Sequence, residues 1–101
     1  MDFNEYQQQA MKTKQGTADL LYSATKLHCE AGELAQPVIK HEYHGKPLDV
    51  EAMIDEAGDL LWYLASIAQD LGVTLEEIAQ RNIDKLRARH GEQYSPEFYR
   101  G

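Results

Sequence analysis

Hydrophobic residues recur every three or four positions along most of this chain. This spacing is typical of helices that bury one face. Runs of alternating β-branched residues, which would indicate strands, are missing, and prolines occur only at positions 37, 47 and 96. The pattern therefore predicts an all-α fold. The most regular stripe consists of Leu20, Ala24, Leu27, Ala31, Leu34 and Val38.

Capping residues and glycines predict where four helices begin and end. Asp2 or Asn4 is the predicted cap of the first helix, Asp49 caps the third, and a capping box at Thr74 opens the fourth. Pro37 falls inside the second helix, where it removes one backbone hydrogen bond and predicts a kink or a split. The tail after the fourth helix is predicted to be irregular. The predicted helices run from Phe3 to about Lys14, from about Thr17 to His44, from the Asp49 cap to about Leu71, and from Thr74 to Gly91.

The third predicted helix is apolar around most of its circumference. A helix of this kind is buried on both sides, and in so short a chain a second copy most easily covers the second side. Gly58 and Ala65 would permit a close approach between helices, and Trp62 would anchor the contact. The pattern predicts a homo-oligomer, at least a dimer.

Composition narrows the class of protein. The chain has 101 residues, the size of one domain, and a formal net charge of −7. This charge argues against a broad basic surface for nucleic acid. The sequence contains no stretch that approaches the ~20 apolar residues of a membrane span and no recognisable signal peptide. The single cysteine, Cys29, cannot form an intrachain disulfide, and a cytoplasmic location is expected.

Two pairs of carboxylates stand out: Glu30 with Glu33, and Glu56 with Asp59. Residues three apart lie on one face of a helix, one turn from each other. Both pairs fall within or at the edge of the apolar stripes, so they are predicted to point into the space between the second and third helices. Carboxylates brought together there repel one another and need a cation. An all-oxygen site favours Mg²⁺ or Mn²⁺ over zinc, and the sequence predicts such a site.

Histidine and cysteine offer weaker candidates for a site. His28 lies beside the first acidic pair, and His41 and His44 are three apart near the end of the second helix. The sequence lacks the Glu-x-x-His pairs of a di-iron bundle, so these histidines are not expected to bind metal. Cys29 is expected to be a packing residue rather than a nucleophile.

The segments around the four acids resemble the MazG-like nucleoside triphosphate pyrophosphohydrolase family. The resemblance is carried by CEAGEL at 29–34, HGKPL at 44–48 and DEAGDLLWYL at 55–64, and it continues through 75–89. The family pattern is E-x-x-E, a helical spacer and then E-x-x-D, and this chain matches all four positions. The resemblance implies a single all-α domain over residues 1–101 that assembles as a dimer or tetramer.

The resemblance also implies an activity. A (deoxy)nucleoside triphosphate would be hydrolysed to the monophosphate and pyrophosphate, with Mg²⁺ as cofactor and Mn²⁺ as a substitute, in house-cleaning of nucleotide pools. Glu33 or Glu30 would orient the attacking water. The implied metal ligands and catalytic residues are Glu30, Glu33, Glu56 and Asp59. The implied substrate-binding residues are Tyr63, Asn82, Lys85 and Arg89.

A different class of function stays open at this point. The chain could be a non-enzymatic, oligomeric helical module that binds a partner or senses nucleotides, with its acids merely solvated. The geometry of the four acids discriminates between the two classes. Convergence within metal-bridging distance would weaken the module hypothesis, whereas Glu33 or Asp59 pointing to bulk solvent would count against the enzyme. The sequence does not identify the preferred base, since specificity depends on the shape of the pocket.

Overall fold

A computed structural model describes residues 1–91, and within this range the protein is all-helical, as predicted. The predicted irregular tail lies outside the described residues. No helix in the described range is long and apolar enough to cross a membrane. The helices are α1 (Phe3–Met11), α2 (Leu20–His44), α3 (Val50–Leu71) and α4 (Leu75–His90).

Each helix begins at a side chain that accepts a hydrogen bond from a backbone N–H in the first turn. Such caps satisfy one of the donors left free at a helix start. The predicted caps Asp49 and Thr74 are both confirmed, and of the two candidates for α1 the cap is Asp2. The four bonds are Glu5 N to Asp2 at 2.8 Å, Tyr22 N to Asp19 at 2.8 Å, Ala52 N to Asp49 at 3.0 Å and Glu77 N to Thr74 at 3.0 Å.

Two predicted boundaries are wrong by three residues. α1 ends at Met11, because the following residues form tighter turns and the Thr13 hydroxyl donates to the carbonyl of Ala10 at 2.7 Å. α2 begins only at Leu20, because Asp19 caps it. α2 runs through Pro37 without interruption, so the predicted split does not occur.

The fold centres on an antiparallel hairpin of α2 and α3, which form the largest helix–helix contact. The chain reverses after Gly45, whose φ of 66° lies in the left-handed region that favours glycine. Inside the hairpin, the hydroxyls of Ser23 and Ser66 form a 2.8 Å hydrogen bond, and both residues are fully buried. This bond joins the two helices with Ser23 and Ser66 at the same level.

α1 and α4 pack against one end of the hairpin through buried polar contacts. The amide of Gln7 donates to Gln69 and to the carbonyl of Val73, and its oxygen accepts from Leu75 N at 2.7 Å. This one side chain joins α1 to the α3–α4 junction.

Trp62 packs on α1 of its own chain. Its indole N–H donates to the Thr13 hydroxyl at 2.9 Å and lies 3.3 Å from the carbonyl of Ala10. Ala65 is completely buried in a small core with Ala68 and Leu75. The close approach to a second copy predicted at Ala65 is therefore wrong, because its own chain covers this residue. Trp62 is only half-buried, so its contact with a second copy stays a prediction.

A single chain covers little of its own apolar surface. The buried hydrophobic residues in the described range are Ala18, Ala65, Ala68 and Leu75. The radius of gyration is 16.5 Å, whereas a compact domain of this length has about 13 Å. Large apolar side chains remain exposed on the hairpin, among them Leu21, Val38, Tyr43, Val50, Ile54 and Leu71.

Candidate metal centre

The register of the hairpin places the two acidic pairs at the same level. Glu30 lies seven residues after Ser23, and Asp59 lies seven residues before Ser66. Seven residues are close to two helical turns, so each acid lies near the same side of its helix as the buried serine. Likewise, Glu33 lies ten residues after Ser23, and Glu56 lies ten residues before Ser66.

Three of the four acids form one cluster. Glu30, Glu33 and Glu56 each offer a carboxylate oxygen, and these oxygens all lie within 4.8 Å of one another. Glu30 and Glu56 are half-buried, whereas Glu33 is exposed. The Oε2 atom of Glu56 is shielded from solvent and has no hydrogen-bond partner. A carboxylate oxygen in that position is suited to bind a cation.

Asp59 stands beside this group rather than within it. It is exposed, but its charge raises the pKa of both Glu33 and Glu56. Asp59 is therefore near the cluster in the same chain, on the side of α3 that Glu56 occupies.

The crowding of carboxylates changes their protonation. The hydrogen bond that protonated Glu33 would donate to Glu30 raises the pKa of Glu33, and the charge of Glu30 adds to this effect. Glu56 also has a raised pKa, first because it would donate to Glu30 and then because burial disfavours its charge. The pKa of Glu30 is lowered, because it accepts these hydrogen bonds from Glu33 and Glu56. Glu33 and Glu56 thus hold negative charge less readily than separate carboxylates would, whereas Glu30 holds it more readily.

Lys26 is a cation of this site that the sequence analysis missed. Its Nζ lies 3.7 Å from Oε1 of Glu30, one helical turn away, and both side chains are partly shielded from solvent. Lys26 lowers the pKa of Glu30 and of Glu33. The four-residue spacing from Lys26 to Glu30 was readable from the sequence, but such pairs are common on exposed helices and do not by themselves indicate a site.

Two tyrosines, Tyr22 and Tyr63, lie on one side of the acids. The rings of Tyr22 and Tyr63 are 6.4 Å apart, and Tyr63 meets Trp62 edge to face at 5.2 Å. Burial raises the pKa of Tyr63, and the charges of Glu30 and Asp59 raise it further. Tyr63, predicted to contact the nucleotide, therefore lies near the acids, next to an open cavity of about 430 Å³ that Tyr22 and Trp62 also line.

The other predicted substrate-binding residues lie elsewhere. Asn82, Lys85 and Arg89 are all exposed on α4, which packs on α1 and α3. Within residues 1–91 none of them has a hydrogen bond or ion pair with the acids. One chain alone does not bring them to the cluster.

The donor set of the cluster fits a hard divalent cation. Three convergent carboxylate oxygens, one of them buried without a partner, match the all-oxygen ligation that Mg²⁺ and Mn²⁺ prefer. No histidine or cysteine in the described range joins the group, and Cys29 is exposed rather than packed.

Comparison with known proteins identifies a family and two relatives of this chain. The family model described as the MazG nucleotide pyrophosphohydrolase domain matches residues 19–93. The chain is 36% identical over 74 residues to "Gene 37 protein" of Mycobacterium phage L5, and the aligned region covers 69% of this chain and 65% of that protein. It is 34% identical over 86 residues to "Uncharacterized protein YpjD" of Bacillus subtilis (strain 168), and the aligned region covers 81% of this chain and 77% of that protein. The match thus spans just under two thirds of the phage protein. No solved structure matches.

Proposed function

The chain belongs to the MazG nucleotide pyrophosphohydrolase family, and from this premise we propose that it hydrolyses (deoxy)nucleoside triphosphates to the monophosphate and pyrophosphate. The observation that carries the proposal is the convergence of Glu30, Glu33 and Glu56 on one point of the hairpin, with Asp59 beside them. A module with merely solvated acids has no reason to hold them so close against their mutual repulsion.

Glu30, Glu33, Glu56 and Asp59 are the proposed ligands of Mg²⁺, for which Mn²⁺ can substitute. The bound cation would neutralise charge on the phosphate oxygens and lower the pKa of a water molecule. The exposed carboxylate of Glu33 is suited to accept a hydrogen bond from that water and orient it, and Glu30 is the second candidate for this role.

The reaction forms one P–O bond and breaks another. The water oxygen bonds to phosphorus of the anhydride that joins the α- and β-phosphates, and the anhydride bond breaks. Attack at the α-phosphorus leaves the bridging oxygen on pyrophosphate, and attack at the β-phosphorus leaves it on the monophosphate. In either case one proton of the water passes to a carboxylate or to solvent. The products are a nucleoside monophosphate and pyrophosphate, and their atoms together equal the triphosphate plus one water.

A second copy of the chain is the proposed cover for the exposed apolar surface of the hairpin. The four small or aliphatic side chains of the described core are too few for a domain of this length, and the radius of gyration exceeds the compact value. Packing two hairpins together would bury residues such as Ile54 and Val38 without rearranging either chain. Whether the assembly is a dimer or a tetramer decides how many sites it holds.

We further propose that Asn82, Lys85 and Arg89 bind substrate across such a contact. They lie on the exposed side of α4 and do not contact the acids of their own chain. Positive charge is needed near a triphosphate in addition to the metal, and within residues 1–91 Lys26 is the cation that lowers the pKa of Glu30 and Glu33.

Hydrolysis with matched variants tests the reaction. A panel of NTPs and dNTPs is incubated with Mg²⁺ or with EDTA, and pyrophosphate is measured against orthophosphate. Pyrophosphate release that EDTA abolishes is expected, with loss of activity in Glu56→Gln and Asp59→Asn. Glu51→Gln and Asp55→Asn, exposed acids of the same helix, are the controls and should keep it. Folded protein that releases no pyrophosphate with either Mg²⁺ or Mn²⁺ would favour the binding-module class instead.

Mixing two inactive variants tests the contribution of the second copy. Glu56→Gln lacks a proposed metal ligand, and Lys85→Ala lacks one of the basic side chains of α4. If each site uses acids from one chain and α4 from another, co-refolded hetero-oligomers contain some sites with both groups intact, and part of the activity returns. Activity that stays absent in the mixture, while each variant still forms the oligomer, contradicts a shared site.

A further inference from the structure

A second open cavity adjoins the acidic cluster on the side away from the tyrosines. It has a volume of about 610 Å³ and lies between the C-terminal part of α2 and the start of α3. Glu33 and Glu56 line one end of it, and Lys40 and Lys46 contribute positive charge at the other. The cavity therefore leads from the proposed metal ligands directly to a pair of cations.

The lysines are within reach of a group bound at the acids. Lys40 follows Glu33 by seven residues, which corresponds to about 10 Å along the helix axis. A lysine side chain is long and flexible, so its ammonium can lie several ångströms nearer to the acids than its backbone does. Within residues 1–91 neither Lys40 nor Lys46 forms an ion pair with the protein. Their charges are available to an anion.

The backbone at Lys46 is fixed even though it belongs to a connecting loop. Its N–H donates to the carbonyl of Lys40 at 3.3 Å, and its carbonyl lies 2.8 Å from Nδ1 of His41. Gly45 makes the turn that permits both contacts, since its φ of 66° lies in the left-handed region. The nearby carboxylate of Asp49 does not neutralise the lysines by an ion pair and is occupied as the cap of α3.

The two sides of the acidic cluster differ in chemistry. The cavity on the far side is lined by Tyr22, Trp62 and Tyr63 and contains no basic side chain. Aromatic rings favour a planar base or a sugar, whereas ammonium groups favour phosphate. A nucleoside triphosphate has the same asymmetry, with a base at one end and phosphate charge at the other.

We propose that the cavity of Lys40 and Lys46 binds the terminal two phosphates of the substrate, the part that leaves as pyrophosphate. This inference rests on the proposed function and gives the substrate a direction along the hairpin. The base points toward Tyr63, the anhydride bond to be cleaved lies at the acids, and the leaving group lies between α2 and the α2–α3 loop. No covalent role falls to either lysine.

Product binding tests the proposal without turnover. Isothermal titration calorimetry with Mg²⁺ present measures the Kd of inorganic pyrophosphate and, separately, of nucleoside monophosphates. We expect Lys40→Ala and Lys46→Ala each to raise the Kd of pyrophosphate by roughly tenfold at low salt, with little change for the monophosphates. Lys40→Arg should retain most of the affinity. Lys12→Ala, an exposed lysine at the end of α1, is the control.

Two results would overturn the proposal. One is an unchanged pyrophosphate Kd in the Lys40→Ala/Lys46→Ala double variant. The other is a selective loss of monophosphate binding, which would place the nucleoside in this cavity. A failure of the proposed function has a separate readout. In that case the wild-type protein would release no pyrophosphate from any nucleotide, independently of the pyrophosphate Kd of the lysine variants. Active protein whose lysine variants bind pyrophosphate normally would refute only the inference.

Discussion

The contribution of the buried hydrogen bond between Ser23 and Ser66 to the stability of the hairpin can be measured. Both residues have no exposed surface, and their hydroxyls are 2.8 Å apart. Ser66→Ala leaves the Ser23 hydroxyl buried without this partner, and a group in that state costs about 1–3 kcal/mol. At roughly 4–8 °C per kcal/mol for a domain of this size, a cost near 2 kcal/mol lowers Tm by about 10 °C.

The double variant separates this effect from a simple loss of side-chain volume. When both serines become alanine, no hydroxyl is left unpaired, and the net cost should be close to zero. Urea unfolding followed by circular dichroism, at one protein concentration and in EDTA, gives the free energies of unfolding of the four proteins. With a loss of about 2 kcal/mol in each single variant and nearly none in the double variant, the expected coupling between the two positions is about 4 kcal/mol. Additive losses, or single variants that lose less than about 0.5 kcal/mol, would refute the role of the bond.

Three further variants probe the assembly, the site and the packing of α1. Ile54→Glu should leave helix content unchanged but convert the oligomer to monomer in sedimentation velocity, because Ile54 is 58% exposed in a single chain; an unchanged profile would count against cover by a second copy. Glu56→Gln should raise the stability of the metal-free protein at neutral pH, because a carboxyl with a raised pKa stabilises the fold at low pH and loses that contribution as pH rises through this pKa. Melting curves in EDTA should show the stability advantage of Glu56→Gln shrinking toward acidic pH, and added Mg²⁺ should stabilise only the wild type; equal stability of the two proteins at all pH values would contradict the raised pKa of Glu56. Trp62→Phe should cost about 0.5–1.5 kcal/mol in urea unfolding through loss of the bond to Thr13 and leave the oligomer intact; dissociation instead would restore Trp62 as an intersubunit anchor.

The sequence predicted the helices well because the signals that end helices are local. Asp49 and Gly72 act through backbone groups within one turn, and their effect does not depend on the rest of the fold. The errors came where two local signals competed. At the end of α1 the sequence permitted more helix, but the Thr13 hydroxyl bonds back to the carbonyl of Ala10 and favours a turn.

The candidate site was predictable in part for a similar reason. The spacing within each acidic pair is a property of a single helix, so it was readable directly. The level at which the two pairs meet depends on the packing of α2 against α3, which includes the contact between Ser23 and Ser66, 43 residues apart, and small polar residues give no such signal in advance. Tertiary packing also explains the error at Ala65, since its periodicity identified a buried face but not whether the same chain or a second copy buries it.

The continuous α2 and α3 determine where this protein can tolerate changes in length. One residue inserted between Ser23 and Glu30 would rotate Glu30 and Glu33 by about 100° around the helix and remove them from Glu56, even though every ligand would still be present. The same insertion in the loop at 45–48 would leave the helical spacing from each serine to the acids of its helix unchanged. Relatives that keep this site are therefore expected to differ in the length of the α2–α3 loop and to keep the length of the helical segments from the serines to the acids.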